Sequence, residues 1–322
     1  MKRSRSHIVD YAWNVWCIAS IIGIWPRFVE PYLLTRSRIT FHCPEQYASL
    51  DGLRILHFSD FHFHPTFPDL LLGKIRKAAE AFRPDIVVFT GDFITKGSLV
   101  DEARLLLFLN SFRAPYGCYA VVGNHDYEQP VGINHRGEYD IISEKEESSA
   151  LFQGLKRLFS GVKPLGKHSP RVANLKPHAK LVALLEQTPF RLLYNESIRI
   201  PVGDAHVNIS GLGEYMCAQA LPEKALHTYD PNDLGIILLH NPDALPLLDS
   251  FPAGLVLSGH THGGHVNLPL IWKKLTLIEK TQFKSGLFPI KQKWVYINRG
   301  IGSLFPFRWF TPPELLLLTF KA

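Results

Sequence analysis

Five short motifs carry the groups that could do chemistry: Asp60-Phe61-His62, Gly91-Asp92, Gly123-Asn124-His125-Asp126, His240 and Gly259-His260-Thr261-His262. Together they offer carboxylates, imidazoles and one carboxamide from separate stretches of chain, and no thiolate. That mixture suits Mn2+, Fe, Zn2+ or Mg2+. The set is large enough for two divalent cations held side by side, and paired cations about 3.5–4 Å apart are used to attack phosphorus. Any one motif alone would be an ordinary capped turn or loop. All five in one chain, each just after an apolar run, leave little room for that reading.

The positioning elements can be read next. Residues 53–59 form a buried-looking strand that leads into Asp60, and the apolar run 85–90 leads into Gly91-Asp92. Runs 118–122, 234–239 and 254–258 lead into Gly123, His240 and Gly259 in the same way. Helix-like segments at 68–82, 99–112 and 242–248 separate most of them. Strands alternating with helices predict an α/β fold. In such folds ligand sites lie beyond the carboxyl ends of the strands, where all five motifs fall.

These residues resemble the calcineurin-like metallophosphoesterase superfamily, motif by motif, from Leu53 to the C-terminus apart from one long insertion. The resemblance implies a four-layer α-β-β-α sandwich with a dinuclear centre, Mn2+ being the foremost candidate and Fe, Zn2+ and Mg2+ remaining open. It implies that Asp60, His62 and His262 hold the first metal. Asn124, His240 and His260 would hold the second, and Asp92 would bridge both. His125 would stand beside the phosphate as proton donor, oriented by Asp126. A general acid of that kind contributes roughly 10²–10⁴-fold. Gly263-Gly264 would let backbone approach the metals without a Cβ in the way. Of the extra histidines, His57 lies mid-strand and reads as core, while His64 and His265 are left unassigned.

Length and composition agree with one large domain: 322 residues, 46% hydrophobic. Cys17, Cys43, Cys118 and Cys217 form no close pair, which excludes a disulfide framework or zinc ribbon and favours a reducing compartment. Net charge is +6 and the isoelectric point about 9.0. No nucleic-acid module is present, so the basic balance points to an anionic membrane or substrate. The N-terminus favours the membrane. Met1-Lys2-Arg3-Ser4-Arg5 is basic, and Ile8 to Trp25 is rich in Ile, Val and Trp without a following cleavage site. Asp10 and Asn14 leave Val15 to Trp25 as the clean apolar run, shorter than the roughly 20 residues of a span. A helix lying in the headgroup region is therefore preferred to a true span, and both to a buried core helix. Residues 25–32 read as a connector, giving a membrane-associating segment 1–38 and a catalytic domain 39–322. No protein partner is implied.

The insertion, 127–189, is the second informative feature. Leu151, Phe152, Leu155, Leu158 and Phe159 recur at helical spacing opposite Lys156 and Arg157. From Gly154 to Leu185 there are seven Lys or Arg and no Asp or Glu. A second aliphatic piece runs over 179–187. The segment is either a structural flap or a lid whose basic residues take an anionic head and whose apolar face takes acyl chains. Leu304 to Phe310 could extend that membrane-facing surface or pack the last strand. Within the superfamily the chain is most similar to the membrane-associated UDP-2,3-diacylglucosamine pyrophosphatases of lipid A biosynthesis. That resemblance implies an anionic lipid-linked nucleotide substrate, cleaved to UMP and 2,3-diacylglucosamine 1-phosphate at the cytoplasmic face of a bacterial inner membrane. The alternatives are a membrane-associated phosphodiesterase or phosphatase of another substrate, such as a phospholipid, and a non-enzymatic binding module.

Overall fold

The computed structural model describes residues 2–142, 163–268, 272–275, 278–304 and 306–322. Fourteen strands lie among them: β1 (Thr35–His42), β2 (Arg54–Phe58), β3 (Ile86–Thr90), β4 (Cys118–Val121), β5 (Val131–Ile133), β6 (Tyr139–Ile141), β7 (Phe190–Leu192), β8 (Glu196–Val202), β9 (Ala205–Gly211), β10 (Leu234–Leu238), β11 (Leu255–Ser258), β12 (Gly286–Ile290), β13 (Lys293–Ile297) and β14 (Glu314–Lys321). They form two six-stranded sheets, ordered β1-β14-β2-β3-β4-β7 and β12-β13-β11-β10-β9-β8, plus the hairpin β5-β6. β2, β3 and β4 are parallel in the first sheet, and β9, β10 and β11 in the second.

Side chains alternate along each strand, and that alternation builds the layers. Ile55, Ile86, Val88 and Leu318 of the first sheet meet Ile209, Ile236, Leu238 and Leu257 of the second in one buried cluster. Leu56, Phe58, Val87 and Phe89 point the other way, under the helices Asp69–Phe82, Glu102–Leu109 and Ala179–Leu185. Ile237, Leu239 and Val256 pack under the turns Pro222–Ala225 and Pro242–Leu248. The result is the expected α-β-β-α sandwich. Both faces of β2, β3 and β10 are covered, which is why these strands read as unbroken apolar runs. The helix Asp69–Phe82 buries Leu71, Leu72, Ile75, Ala78, Ala79 and Phe82 at spacings of three and four. The helix expected over 99–112 begins only at Glu102, because Asp101 sits at φ 52°.

The N-terminus differs from expectation in length. The helix Lys2–Ala19 continues without interruption as a π-helical stretch Ser20–Val29 and a 3₁₀ turn Glu30–Tyr32. Residues 25–32 are therefore helical rather than a connector; the widened turn accommodates Pro26. Ile8–Tyr32 gives 25 residues that are long and apolar enough to cross a membrane, about 37 Å at 1.5 Å per residue against a hydrocarbon core of about 30 Å. Trp13, Trp16, Ile18, Ile21 and Phe28 are all exposed to solvent, so this helix is built to sit in lipid rather than in the core. The catalytic unit begins at Thr35, where β1 pairs with β14. β1 runs across residue 38 as an edge strand with alternating exposure.

Within the insertion, β5-β6 and Val172 pack with Tyr127 and Met216, and Leu181, Leu184 and Leu185 enter the core beneath the first sheet. Those parts are scaffold. The amphipathic stretch from Leu151 to Phe159 lies outside the described residues.

The core makes one checkable demand. Phe58 is fully buried and contacts the rings of Phe89, Phe112 and Phe190. Phe58→Ala should lower unfolding free energy by about 3–5 kcal/mol in urea titrations. Leu70→Ala, at a position 71% exposed, should cost less than about 0.5 kcal/mol.

Candidate metal centre

The five motif loops meet where the C-terminal ends of the two sheets face each other. Backbone bonds lace them together first. Asp60 N–H donates to Gly91 O at 2.9 Å, and Phe61 and His62 N–H donate to Asp92 O at 2.8 and 3.0 Å. Across the sheets, His240 Nδ1–H donates to Thr90 O at 2.7 Å. His260 N–H donates to both carboxylate oxygens of Asp60 at 3.0 Å. In the Asp60-Phe61-His62 loop the outer two side chains face the site while Phe61 turns into the core against Phe67 and Phe108.

The side chains then converge. Asp92 Oδ2 lies 3.1 Å from His240 Nε2 and 3.5 Å from His62 Nε2, and its Oδ1 accepts from His125 N–H at 2.9 Å. Asp60 Oδ1 is 3.3 Å from His262 Nε2. Three groups have ligand atoms within 4.8 Å of one another: Asp60, His62 and His262; His62, Asp92 and His125; and Asp92, His240 and His260. Ring nitrogens meet head to head, His62 Nε2 with His262 Nε2 at 3.0 Å and His260 Nδ1 with His240 Nε2 at 3.2 Å. Asn124 is buried, and its Oδ1 has no hydrogen-bond partner. An orphaned buried carbonyl oxygen is unfavourable by itself, and the close-set ring nitrogens and carboxylate oxygens beside it are donors that one cation could take up together. The donor set therefore fits metal ions.

Electrostatics lead to the same place. Burial drives His62 and His262 well below the usual imidazole range and His260 down to about 3, so their lone pairs are available. Burial pushes Asp60 up to about 7, with His240 pulling the other way. Burial would also raise Asp92, but His240, His125 and His62 outweigh it and hold that carboxylate ionised. His240 is correspondingly raised despite its burial, through Asp92. The backbone is strained at the same spot: Asp60, His62, Asp92, His260 and His262 sit at φ between 47° and 69°. Such residues persist only where surroundings over-determine them, and they cluster at functional sites.

The hydrogen bonds add detail to two expectations. The Asp126 carboxylate accepts the backbone N–H of Asp92 (2.8 Å), Gly123 (2.9 Å) and Ile94 (3.1 Å), while His125 Nδ1 accepts from Lys96 N–H at 3.0 Å. Adjacent side chains in this turn point to opposite sides, so Asp126 fastens the Asp92 loop from beneath. Gly263 and Gly264 both have positive φ, and a Cβ on Gly263 would face Arg299 and Thr311. Gly123, Gly91 and Gly259 let the site close, since a Cβ on them would run into the Asp92 carboxylate, the His240 ring and the Asp60 carboxylate respectively. His57 is core as expected, fully buried with Nε2 2.9 Å from Thr90 Oγ1. His265 stacks on His262 at 4.2 Å, and His64 pairs with Thr66.

Two buried groups were missed. Glu214 is fully buried at the end of β9, next to β10 and His240, with Oε2 unpartnered and burial pushing it up to about 7. Its signal was present: Gly213-Glu214 follows a strand just as Gly91-Asp92 does. Arg308, the one charge in the apolar run 304–310, is fully buried beside His262.

The protonation pattern predicts how metal binding responds to pH. A cation must displace protons from Asp60 and from His240. Asp60 is protonated below about 7 and ionised above it, and His240 keeps its proton to higher pH, so Mn2+ affinity should rise with pH through that range and go on rising beyond it. Calorimetric titration should show proton release on binding at about pH 6.5 and weaker binding at about pH 6 than at about pH 8. Affinity independent of pH would remove Asp60 from the ligand set.

The calcineurin-like phosphoesterase family pattern matches residues 53–264. UDP-2,3-diacylglucosamine pyrophosphatase LpxG of Chlamydia muridarum is 37% identical over 306 residues, covering 92% of both chains. Its namesake in Chlamydia trachomatis serovar D is 36% identical over 309 residues, again covering 92% of both. Phosphodiesterase YaeI of Escherichia coli K12 is 23% identical over 267 residues, covering 82% of this chain and 81% of its own. A metal-dependent hydrolase of phosphoric esters or anhydrides is what this likeness and this cluster of ligands have in common: the chain belongs to the calcineurin-like phosphoesterase family.

Proposed function

We propose that this protein hydrolyses UDP-2,3-diacylglucosamine to UMP and 2,3-diacylglucosamine 1-phosphate, at the cytoplasmic face of a bacterial inner membrane. The observation that carries the substrate is the 37% identity with a UDP-2,3-diacylglucosamine pyrophosphatase across 92% of both chains. An exposed apolar helix long enough to reach into a bilayer supports a lipid-linked substrate. Four free cysteines, Cys17, Cys43, Cys118 and Cys217, support the reducing side.

In this reading Asp60, His62 and His262 would hold one cation and Asn124, His240 and His260 the other, and Asp92 would serve both. When bound, the pair of cations supplies an activated water and neutralises the phosphoryl oxygens. The protein's own part is preorganisation. Thr90 O fixes the His240 ring, His260 N–H fixes the Asp60 carboxylate, and His125 N–H fixes Asp92 Oδ1. Each ligand is held before substrate arrives, so little reorganisation is left for the reaction. Lys96 N–H holds His125 Nδ1, which turns Nε2 toward the His62 and Asp92 side of the cluster. From there the neutral ring donates a hydrogen bond from Nε2–H to the departing oxygen. Water forms a bond to the α-phosphorus as the bond from that phosphorus to the bridging oxygen breaks; the sugar phosphate departs as an anion and the proton of the water passes to solvent. The part of the insertion 127–189 that does not pack into the core is proposed to cover the site as a lid.

A second reading, a phosphodiesterase acting on another substrate, is favoured by the likeness to phosphodiesterase YaeI. One assay separates the two: purified protein with Mn2+ and either UDP-2,3-diacylglucosamine or bis-p-nitrophenyl phosphate, in water enriched in heavy oxygen, with products read by mass spectrometry. Turnover of the first with label in UMP supports the proposal; turnover of the second alone supports the alternative. Asp92→Ala should abolish turnover and lower metal content. His125→Ala should keep both metals and lose about 10²-fold or more in kcat. A metal-free His125→Ala protein would make that residue a ligand instead.

A further inference from the structure

Arg308 is the largest fully buried side chain among the described residues. No carboxylate forms an ion pair with it there. Its guanidinium is instead spent on backbone: Nη1 donates to Arg299 O and Thr311 O, both at 2.9 Å, and Nη2 to Gly300 O at 3.2 Å and to Gly302 O. Nε donates to Ser303 Oγ at 3.0 Å. Its Nη2 also packs 3.4 Å from His262 Nδ1, behind the ring whose Nε2 faces Asp60 and His62.

The carbonyls it gathers belong to a loop whose amide side lies on the first metal-ligand strand end. Ile301 N–H donates to Ser59 O at 2.9 Å and Gly302 N–H to Asp60 O at 2.8 Å. An added Cβ on Gly300 would stand 2.6 Å from Asp60 Cβ. Arg308 therefore clamps the loop that seats Asp60 while touching His262 directly.

The same segment receives the end of the N-terminal helix. Arg308 N–H donates to Pro26 O at 2.8 Å. Glu30, 3% exposed, accepts from Thr311 N–H and, at 2.9 Å, from Trp25 Nε1. On its other side, Trp309 N–H and Thr311 Oγ1 donate to His265 O at 2.8 and 3.0 Å. Residues 308–311 are thus wedged between the apolar helix and the His262 loop.

We infer that Arg308 is a positioning residue for Asp60 and His262, and that through it the seating of the apolar helix sets the geometry of the metal centre. The helix is then a structural part of the site as well as an anchor. This inference rests on the reading of Asp60 and His262 as metal ligands.

The test uses the full chain in detergent, with Mn2+ as the metal probe and bis-p-nitrophenyl phosphate as a soluble substrate that needs no lipid contact. Arg308→Lys keeps the charge and loses the fork. Glu30→Gln keeps the shape and loosens the helix end, far along the chain from any ligand. Removing groups that hold metal ligands in place costs about 10–100-fold in metal affinity. Arg308→Lys should weaken Mn2+ binding within that range and lower kcat with little change in KM, at a melting temperature close to the wild type's. Glu30→Gln should move both in the same direction by a smaller factor. The double variant should be no worse than Arg308→Lys alone, because both act through one wedge. Wild-type Mn2+ affinity and kcat in both variants would overturn the inference while leaving the metal site intact. Loss in Arg308→Lys with none in Glu30→Gln would overturn the coupling to the helix. A wild-type chain that binds no Mn2+ would overturn the metal-site reading itself. If Arg308→Lys fails to fold, the Glu30→Gln measurements decide alone.

Discussion

One buried carboxylate organises this molecule. Asp92 sits at 2% exposure within reach of His240, His62 and the amide of His125. An ionised carboxylate at that depth is tolerable only with positive charge or donors around it. Without metal the His240 proton meets the demand, with Asp92 lowered and His240 raised. A divalent cation meets it better, because it also separates the opposed ring nitrogens. The two sheets, with inner faces glued by Ile236, Leu238 and Val88, are what keep a ligand of one sheet beside a ligand of the other.

That arrangement explains why strain concentrates here. Left-handed backbone at five ligand positions, of order 1–3 kcal/mol each, has to be outweighed by the surroundings. The compensation is visible in Asp126, whose carboxylate collects three amides beneath the Asp92 loop. Burial and the charge of Asp92 raise Asp126 to about 8, and the amide bonds oppose that rise. A protonated Asp126 still accepts through its carbonyl oxygen, so the amide ladder outlasts the charge.

What the sequence made legible was local. Each ligand follows an apolar run, and strand plus terminal ligand is a pattern contained in about ten residues. The layer order came only with the family resemblance that those motifs carry. The illegible parts depend on contacts distant in sequence. Asp126 stands beside His125 in the chain yet serves Asp92 and Ile94. Arg308 looked like a stray charge in an apolar cluster, because its partners are carbonyls that any residue supplies. The N-terminal helix looked short because Asp10 and Asn14 interrupt its apolar run and residues 25–32 read as a connector. A backbone helix does not stop at a polar side chain, and Glu30 is accommodated by Thr311 and Trp25. The stretch from Leu151 to Phe159, the strongest amphipathic signal in the insertion, lies outside the described residues.

The docking of the helix end bears on how a lipid could be handled. Drawing an acyl chain out of a bilayer costs about 0.8 kcal/mol for each methylene exposed to water, so about fifteen methylenes would consume the binding energy of a nanomolar ligand. An enzyme for a diacylated substrate does better to bring its catalytic groups to the interface and leave the chains in lipid. A flexible tether would not fix that height. Here Pro26 and Glu30 are hydrogen-bonded to the segment that also holds the His262 loop, so a membrane-seated helix and the metal centre keep a fixed relation. Only the head of such a substrate then needs to cross into the protein, where Asp92 and its histidines are already in place.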